Sequence, residues 1–394
     1  MSKQSKPSLK RSPHIRFSEF ADDWHSSTLN DLLEQVVDNR GKTPPVKTEG
    51  VYLIEANALG KKEINYSVIK KYVDDQTFRV WFRKHIQKGD VLFTTVGSTG
   101  TCSYYDGDKP AAIAQNIVGL RANINNSKEF LYYLLTQPSN SNKFKAIEMV
   151  AVQPSVKVSQ MIHLSFAIPK KQEQDKIADF LNSIDDKISV VQQKILTLIL
   201  YKKGTLEAIL TQKIHFKDSK GELFPAWKEK TFGELLDYEQ PTKYIVKSTE
   251  YNDQYDMPVL TAGKTFILGY TNESTGVFDH MLPVIIFDDF TTSSQFVNFP
   301  FKVKSSAMKI LKAKPGVSIE VVYEMMARVK FSAEDHRRYW ISEFQELTVR
   351  LPSESEQKII ADYISAIDEK INLESMKLNK AIQLKQALLQ GMFV

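Results

Sequence analysis

A single cysteine, Cys102, stands among 394 residues. That excludes an internal disulfide framework and any multi-cysteine zinc site, and it fits a reducing compartment. Cys102 itself reads as a small buried or loop residue rather than a nucleophile. No run of about 18 apolar residues is present to span a bilayer. The segment from Met1 to Arg16 carries Lys3, Lys6, Lys10, Arg11 and Arg16 without the apolar core of a secretory signal, so a cytoplasmic protein is expected. The seven histidines, His14, His25, His85, His163, His215, His280 and His336, lack metal-ligand spacing. A glycine-rich phosphate loop is missing too: Gly41-Lys42-Thr43 and Gly263-Lys264-Thr265 look like the end of a Walker A loop, but Val36 and Pro258 occupy the place of its first glycine. Charge is not lopsided. With 52 Lys+Arg against 47 Asp+Glu the net is +5, so contact with an anionic partner has to come from local clustering.

What the chain has is a repeat. Pro169, Gln174, Ile177, Ala178, Asp179, Ile184, Asp185, Lys187 and Ile188 return as Pro352, Gln357, Ile360, Ala361, Asp362, Ile367, Asp368, Lys370 and Ile371 at one ungapped offset of 183. That period is the size of a domain plus a helix, far too long for a solenoid unit, so the chain reads as a tandem duplication of a module followed by a long helix. Trp24, Leu29 and Leu32 correspond to Trp227, Phe232 and Leu235 at an offset of 203; Leu120 and Tyr132 correspond to Leu311 and Tyr323 at 191; Ser159 and Leu164 correspond to Ser342 and Leu347 at 183. The falling offset makes the second module the shorter one.

In the first helical copy, Ile177, Leu181, Ile184, Ile188, Val191, Ile195 and Leu198 step by four and three, the spacing of a coiled-coil seam. From Lys170 to about Gln212 such a helix is roughly 60 Å long, more than its own module needs. The second copy supplies a partner seam in Ile360, Ile364, Ile367, Ile371, Leu378 and Leu388, after a capping box of Ser353 and Glu356. Glu374 breaks that seam, standing where copy one has Val191. The expectation is an antiparallel helix pair in preference to two helices each packed on its own module.

The module interiors hold short apolar runs, Val51 to Glu55, Val91 to Val96, Ile113 to Leu120, Val284 to Phe287, Met308 to Leu311 and Leu347 to Leu351, with short helices near Glu129 to Leu135 and Glu320 to Met326. The fold class is therefore α+β: two globular mixed α/β modules separated by two long helices that form an antiparallel coiled coil, related as a pseudo-two-fold internal repeat. The chain divides into a basic tail over 1–16, a first module over 17–167, a central helix over 168–214, a second module over 215–350 and a terminal helix over 351–394.

No catalytic constellation is complete. Asn298-Phe299-Pro300-Phe301 resembles the Asn-Pro-Pro-Phe tetrapeptide of adenine methyltransferases only faintly, with Phe at its second position and no glycine-rich cofactor loop upstream. Asp288-Asp289 follows an apolar strand, but no Glu-x-Lys or Asp-x-Lys comes after it. What the strand ends do offer is hydrogen-bonding side chains. The first module has Thr94, Thr95, Ser98 and Thr99, then Gln115, Asn116 and Arg121, then Gln153, Ser155 and Lys157. The second has Lys264, then Asp288, Asp289, Thr291, Thr292 and Ser294, then Lys302, Lys304, Ser305 and Ser306, then Arg337, Arg338 and Tyr339. Gln and Asn pair with adenine edges, Arg with guanine and Asp with the cytosine amine, while Lys and Ser hold phosphates. Any one of these alone reads as an ordinary polar loop residue; their recurrence at comparable places with different residues suits two readers of different sequences.

With Phe17 to Trp24, Gly89-Asp90-Val91-Leu92-Phe93, Gln115-Asn116-Ile117 and the doubled helix openings in view, the chain resembles the specificity subunits of type I restriction-modification systems over nearly its whole length. The resemblance implies that each module is a target-recognition domain reading one half of a bipartite double-stranded DNA site. It implies that the helices fix the spacer and dock two methyltransferase subunits, and that restriction subunits complete the complex. The chain would then be non-catalytic and bind neither metal nor cofactor, with S-adenosylmethionine, ATP and Mg in the partners. The rival readings are a stand-alone DNA methyltransferase or nuclease, and a coiled-coil scaffold without a nucleic-acid role.

Overall fold

The computed structural model describes residues 12–39, 41, 43–149, 152–262, 265–329, 331 and 338–394. The chain forms two compact units: one runs to Gln192 and takes back Met376–Val394, and the other is Gln193–Ser375. Both are mixed α/β.

The two units repeat one wiring. In the first, His25–Thr28 pairs antiparallel with Ser165–Ile168. A four-stranded antiparallel sheet has the order Leu33–Val37, Ile117–Ala122, Val91–Thr94, Cys102–Tyr104. A three-stranded sheet has the order Tyr72–Val73, Val51–Ile54, Ala111–Ile113, its last pair parallel. In the second unit the same places are taken by Lys228–Thr231 with Thr348–Leu351, then by Leu236–Glu239, Met308–Ala313, Val284–Asp288, Ser294–Val297. Its three-stranded sheet is Ile267–Thr271, Met257–Leu260, Lys302–Val303, again with a parallel last pair.

The central strands are apolar up to their last residues, Thr94 and Asp288, because both of their faces are covered: every residue of Val91–Thr94 and of Val284–Asp288 is buried. One expected strand divides. The run from Ile113 to Leu120 breaks at Gln115 and Asn116, where Ile117 N donates to Ala114 O. Ala111–Ile113 then joins the three-stranded sheet while Ile117–Ala122 joins the four-stranded one.

The repeated residues outside the seams have a local task. Trp24 Nε1 donates to Glu173 at 3.2 Å, and Trp227 Nε1 donates to Glu356 at 2.9 Å. Gln174 Oε1 accepts from Ser127 N while its amide donates to Pro169 O; Gln357 Oε1 accepts from Ser318 N while its amide donates to Pro352 O. Ser127 and Ser318 are the N-caps of the module helices Lys128–Thr136 and Ile319–Met326. Each long helix thus begins by satisfying buried or partly buried backbone groups of its module. The expected capping box is half present: Ser353 Oγ accepts from Glu356 N, but the Glu356 carboxylate is drawn to Trp227 instead of back to the cap.

The long helices span Lys171–Leu210 and Glu354–Gly391. Their seam residues divide in a way the spacing alone does not predict. In the first unit Ile177, Leu181 and Ile184 belong to the core around Trp24 and Tyr133, together with Leu388, Leu389, Met392 and Phe393. In the second, Ile360 and Ile364 belong to the core around Phe232 and Trp340, together with Leu206 and Ile209. Packing on the module and packing on the other helix therefore occur at once, which corrects the choice between them. The buried turns are those nearest a module, where two apolar surfaces meet the same stripe. Ile188, Val191, Ile195, Leu198, Ile371 and Leu378 are half-buried.

Within the second unit the helices pair antiparallel, since Lys194 meets Glu374 at 2.7 Å and Lys202 meets Asp368 at 2.8 Å. Glu374, the break in the seam, is 7% exposed and so is neutralised locally by a lysine from the facing helix. In the first unit Ile15 N donates to Gly391 O at 2.8 Å. The matching carbonyl in the second unit, Ala208 O, accepts from Lys213 N and Ile214 N along the continuous chain.

Candidate functional site

In both units the four-stranded sheet ends in three loops that are tied to one another, and these loops carry most of the polar residues singled out above. In the first unit the strand Val91–Thr94 runs into 95–101. Thr95 N and Oγ1 both donate to Asn116 O, at 2.8 and 3.2 Å. Val156 N donates to Thr95 O at 2.8 Å, and Gly97 N to Pro154 O at 2.9 Å. Thr99 Oγ1 donates to Glu148. One residue, Thr95, so holds three segments together: its own loop, the turn at 115–116 and the stretch 153–157.

The second unit makes the same clasp. Asp289 N donates to Ala307 O at 3.3 Å, Tyr339 N donates to Asp289 O at 2.9 Å, and Trp340 N donates to Asp289 Oδ1 at 3.0 Å. Asp289 stands one residue past the end of its strand, as Thr95 does. Ala307 and Asn116 each precede the next strand over, and Val156 and Tyr339 are separated by the offset of 183.

The clasp sorts the expected contact residues. Ser98, Gln153 and Lys157 are exposed, and Thr99, Gln115, Asn116 and Ser155 half-buried, at the rim of the first unit. Thr291, Ser305 and Arg338 are exposed, and Thr292, Ser294, Lys304 and Ser306 half-buried, at the corresponding rim of the second. Gln115 Nε2 donates to Thr43 Oγ1 at 2.9 Å, which aims its amide across the turn. Lys264 and Arg337 lie outside the described residues.

Others stand inside, and their burial corrects the expectation that they face a partner. Thr94 and Thr95 are 0% exposed. Arg121 is locked by Asp90, Nε to Oδ1 at 2.9 Å and Nη2 to Oδ2 at 2.8 Å, with further bonds to Gln35 and the His85 carbonyl. That carboxylate holds the guanidinium above its ordinary range. The bidentate geometry suited to guanine is used up internally. Asp288 Oδ1 accepts from Phe290 N and Thr291 N, closing its own turn. Asp289 faces Lys309 Nζ at 3.5 Å with both side chains 1% exposed. Lys302 Nζ donates to Thr275 O and Gly276 O and pairs with Glu273 at 3.1 Å. Tyr339 is 1% exposed, edge-on to Phe331.

The rejected motifs also find places. Phe301 stacks on Phe278 at 5.0 Å within a core cluster, which accounts for the Asn298-Phe299-Pro300-Phe301 run as packing. Burial pushes the Cys102 thiol up and away from reactivity. Among the described residues no group of three His, Cys, Asp or Glu side chains could hold a metal ion, and no helix is long and apolar enough to cross a membrane. Lys42, Gly263 and Lys264 of the two Gly-Lys-Thr loops lie outside the described residues. Trp340, Ala307 and Pro154, which complete the clasp, were not singled out in the sequence. They act through the backbone, which side-chain type does not report, although polar neighbours such as Ser155 and Tyr339 did point to those segments.

Comparison with known proteins agrees with this arrangement. Residues 21–199 match the family model described as the type I restriction modification DNA specificity domain. The chain is 49% identical over 125 residues to the type I restriction enzyme EcoR124I/EcoR124II specificity subunit of Escherichia coli, a match over 30% of this chain and 31% of that one. It is 24% identical over 390 residues to a Methanocaldococcus jannaschii protein named as the type I restriction enzyme MjaX specificity subunit, covering 90% of this chain and 89% of that one. The fold is similar to that of a type I restriction-modification system S subunit from M. genitalium, with a TM-score of 0.61 at 15% identity over 97% of this chain and 99% of that chain. A duplicated module with a matching clasp, a specificity-domain match over the first copy and relatives of the same description converge: the chain resembles the specificity subunits of type I restriction-modification systems.

Proposed function

We propose that this chain reads a bipartite DNA target without catalysing any step itself. Each three-loop rim takes one half-site, and the paired long helices act as an antiparallel coiled coil that sets the spacer between the halves. The observation that carries this reading is the repeated clasp, which fixes one backbone frame in both units while its rim presents Ser98, Gln153 and Lys157 in one and Thr291, Ser305 and Arg338 in the other. A common frame with different side chains is what two readers of unlike sequences need.

The long helices also carry exposed apolar side chains, among them Leu196, Ile199, Leu200, Leu373 and Met376. Such a surface suits the docking of two methyltransferase subunits, which would bring S-adenosylmethionine, with ATP and Mg in the restriction subunits that complete a cytoplasmic complex. Purifying the chain with its methyltransferase partner and mapping methylated adenines tests the reading. Methylation confined to one bipartite sequence is the expected result, and exchange of residues 20–165 for another member's module should change one half-site only. Methylation without sequence preference, or a target unchanged by the exchange, overturns it. Methylation or cleavage by the isolated chain would favour the enzymatic alternative.

A further inference from the structure

Asp289 is the residue on which the rim of the second unit converges. Its amide reaches the segment before Met308, its carbonyl and Oδ1 reach Tyr339 and Trp340, and its Oδ2 faces Lys309. Both charges of the last pair are 1% exposed. At the matching places the first unit has Thr95 and Val118, so no ion pair stands there: Thr94 pairs with Ile117 as Asp288 pairs with Met308, which sets Val118 opposite Lys309. The Asp289–Lys309 pair is therefore an addition peculiar to the second rim, placed under its three loops. Lys309 also lies over the Tyr238 ring at 4.9 Å, but a ring face does not replace a carboxylate as partner for a desolvated ammonium.

We propose that Asp289 and Lys309 are positioning residues for DNA discrimination by the second unit. The lysine fixes the carboxylate orientation from below, and the carboxylate sets the spacing of the loops that carry Thr291, Ser305 and Arg338. Neither touches DNA. Removing Lys309 leaves a buried carboxylate without its counter-charge, and hydrating it disturbs the loops that Asp289 holds, so the rim loosens. Replacing both partners with neutral groups of similar shape removes that drive while leaving an oxygen for Trp340 N.

This inference rests on the DNA-reading proposal, and the test separates the two. The full chain is assembled with its methyltransferase partner, and methylation is measured on the cognate site and on sites with single substitutions in either half. Lys309→Met is expected to lower discrimination at least tenfold at the half-site that survives exchange of residues 20–165, with less than threefold change at the other. The pair Asp289→Asn with Lys309→Met is expected to restore discrimination to within threefold of the unsubstituted chain. A general loss of stability would weaken both half-sites alike and would not be rescued. Undiminished discrimination by Lys309→Met, equal loss at both halves, or failure of the paired variant to recover overturns the assignment. If the unsubstituted complex has no sequence preference at all, the functional reading fails first.

Discussion

Lys385 stands 2.5 Å from Asp185 in the first unit, and the residues 183 places away from each, Lys202 and Asp368, meet at 2.8 Å in the second. Each copy of the long helix contributes one carboxylate and one lysine, and each carboxylate takes the lysine of the other copy. A third group completes either site: Tyr133 donates its hydroxyl to Asp185, and Glu324 faces Lys202 at 3.0 Å.

Exposure decides how much these pairs are worth. Asp185 and Lys385 are 13% and 21% exposed, whereas Asp368 is 45% exposed. A double-mutant cycle of Asp185→Asn with Lys385→Met should give a coupling of about 1–2 kcal/mol, and the cycle of Asp368→Asn with Lys202→Met about 0.5–1 kcal/mol. Denaturant unfolding of the four chains in each cycle measures both. Equal couplings would mean that solvent screening does not set the difference.

The two buried glutamates at the helix starts should respond differently to substitution. Glu173 holds Arg16, Nε to Oε1 at 2.7 Å, so Glu173→Gln strips a partly buried guanidinium of its counter-charge and should cost about 1–3 kcal/mol. Glu356 has Trp227 but, among the described residues, no arginine; burial raises its carboxyl above the ordinary 4.5, with the Trp227 hydrogen bond and nearby His215 pulling the other way. A raised folded-state value means the folded form binds the proton more tightly, so stability is highest below 4.5 and declines as pH rises through the raised value. Glu356→Gln keeps an acceptor for the indole and removes the titrating group. Unfolding midpoints followed from pH 4 to pH 7 should lose this declining component in Glu356→Gln, and an unchanged profile would refute the account.

Glu374→Val, which installs the residue that copy one carries at this place, exchanges a 7% exposed carboxylate for an apolar side chain. Lys194 is 57% exposed and can turn to solvent once released. The substitution should leave stability unchanged or raise it by about 1 kcal/mol, as seen when buried ion pairs are replaced by apolar packing. The same chain should pair its helices less selectively, because the carboxylate no longer marks a single register. Calorimetry reads the first effect, and carbodiimide crosslinking of Lys202 to Asp368, which meet at 2.8 Å, reads the second.

Gly97 tests how tightly the first rim is built. It adopts φ +87, and an added Cβ would meet nothing within 4 Å, so the cost of Gly97→Ala is confined to backbone conformation. About 1–2 kcal/mol is expected. Methylation by the assembled complex should weaken at one half-site while binding of the methyltransferase partner is retained.

The repeat was legible because Pro169, Glu173 and Gln174 and their counterparts Pro352, Glu356 and Gln357 serve contacts that are alike in both units. Strand runs such as Val91–Thr94 were legible for a related reason, being apolar on both faces. The division of Ile113–Leu120 between two sheets was not, since a two-residue turn of Gln115 and Asn116 leaves hydrophobicity nearly unbroken. Site residues were harder still. Arg121 and Lys302 have the composition of a DNA contact, yet Asp90 in one case and two carbonyls with Glu273 in the other claim them, and such partners are far away in sequence. Residue type reports what a side chain can bind and leaves open which partner reaches it first.

The clasp is drawn almost wholly between main-chain groups: Thr95 N with Asn116 O, Val156 N with Thr95 O, Gly97 N with Pro154 O, Asp289 N with Ala307 O, Tyr339 N with Asp289 O. Peptide groups are common to every residue but proline, which lacks the donor, so these bonds survive most substitutions in the loops they join. Selection can therefore rewrite Ser98, Gln153, Thr291 or Ser305 one codon at a time without dismantling the frame that presents them. On the proposed reading, a lineage under pressure to recognise new sequences inherits the scaffold intact and varies the letters alone.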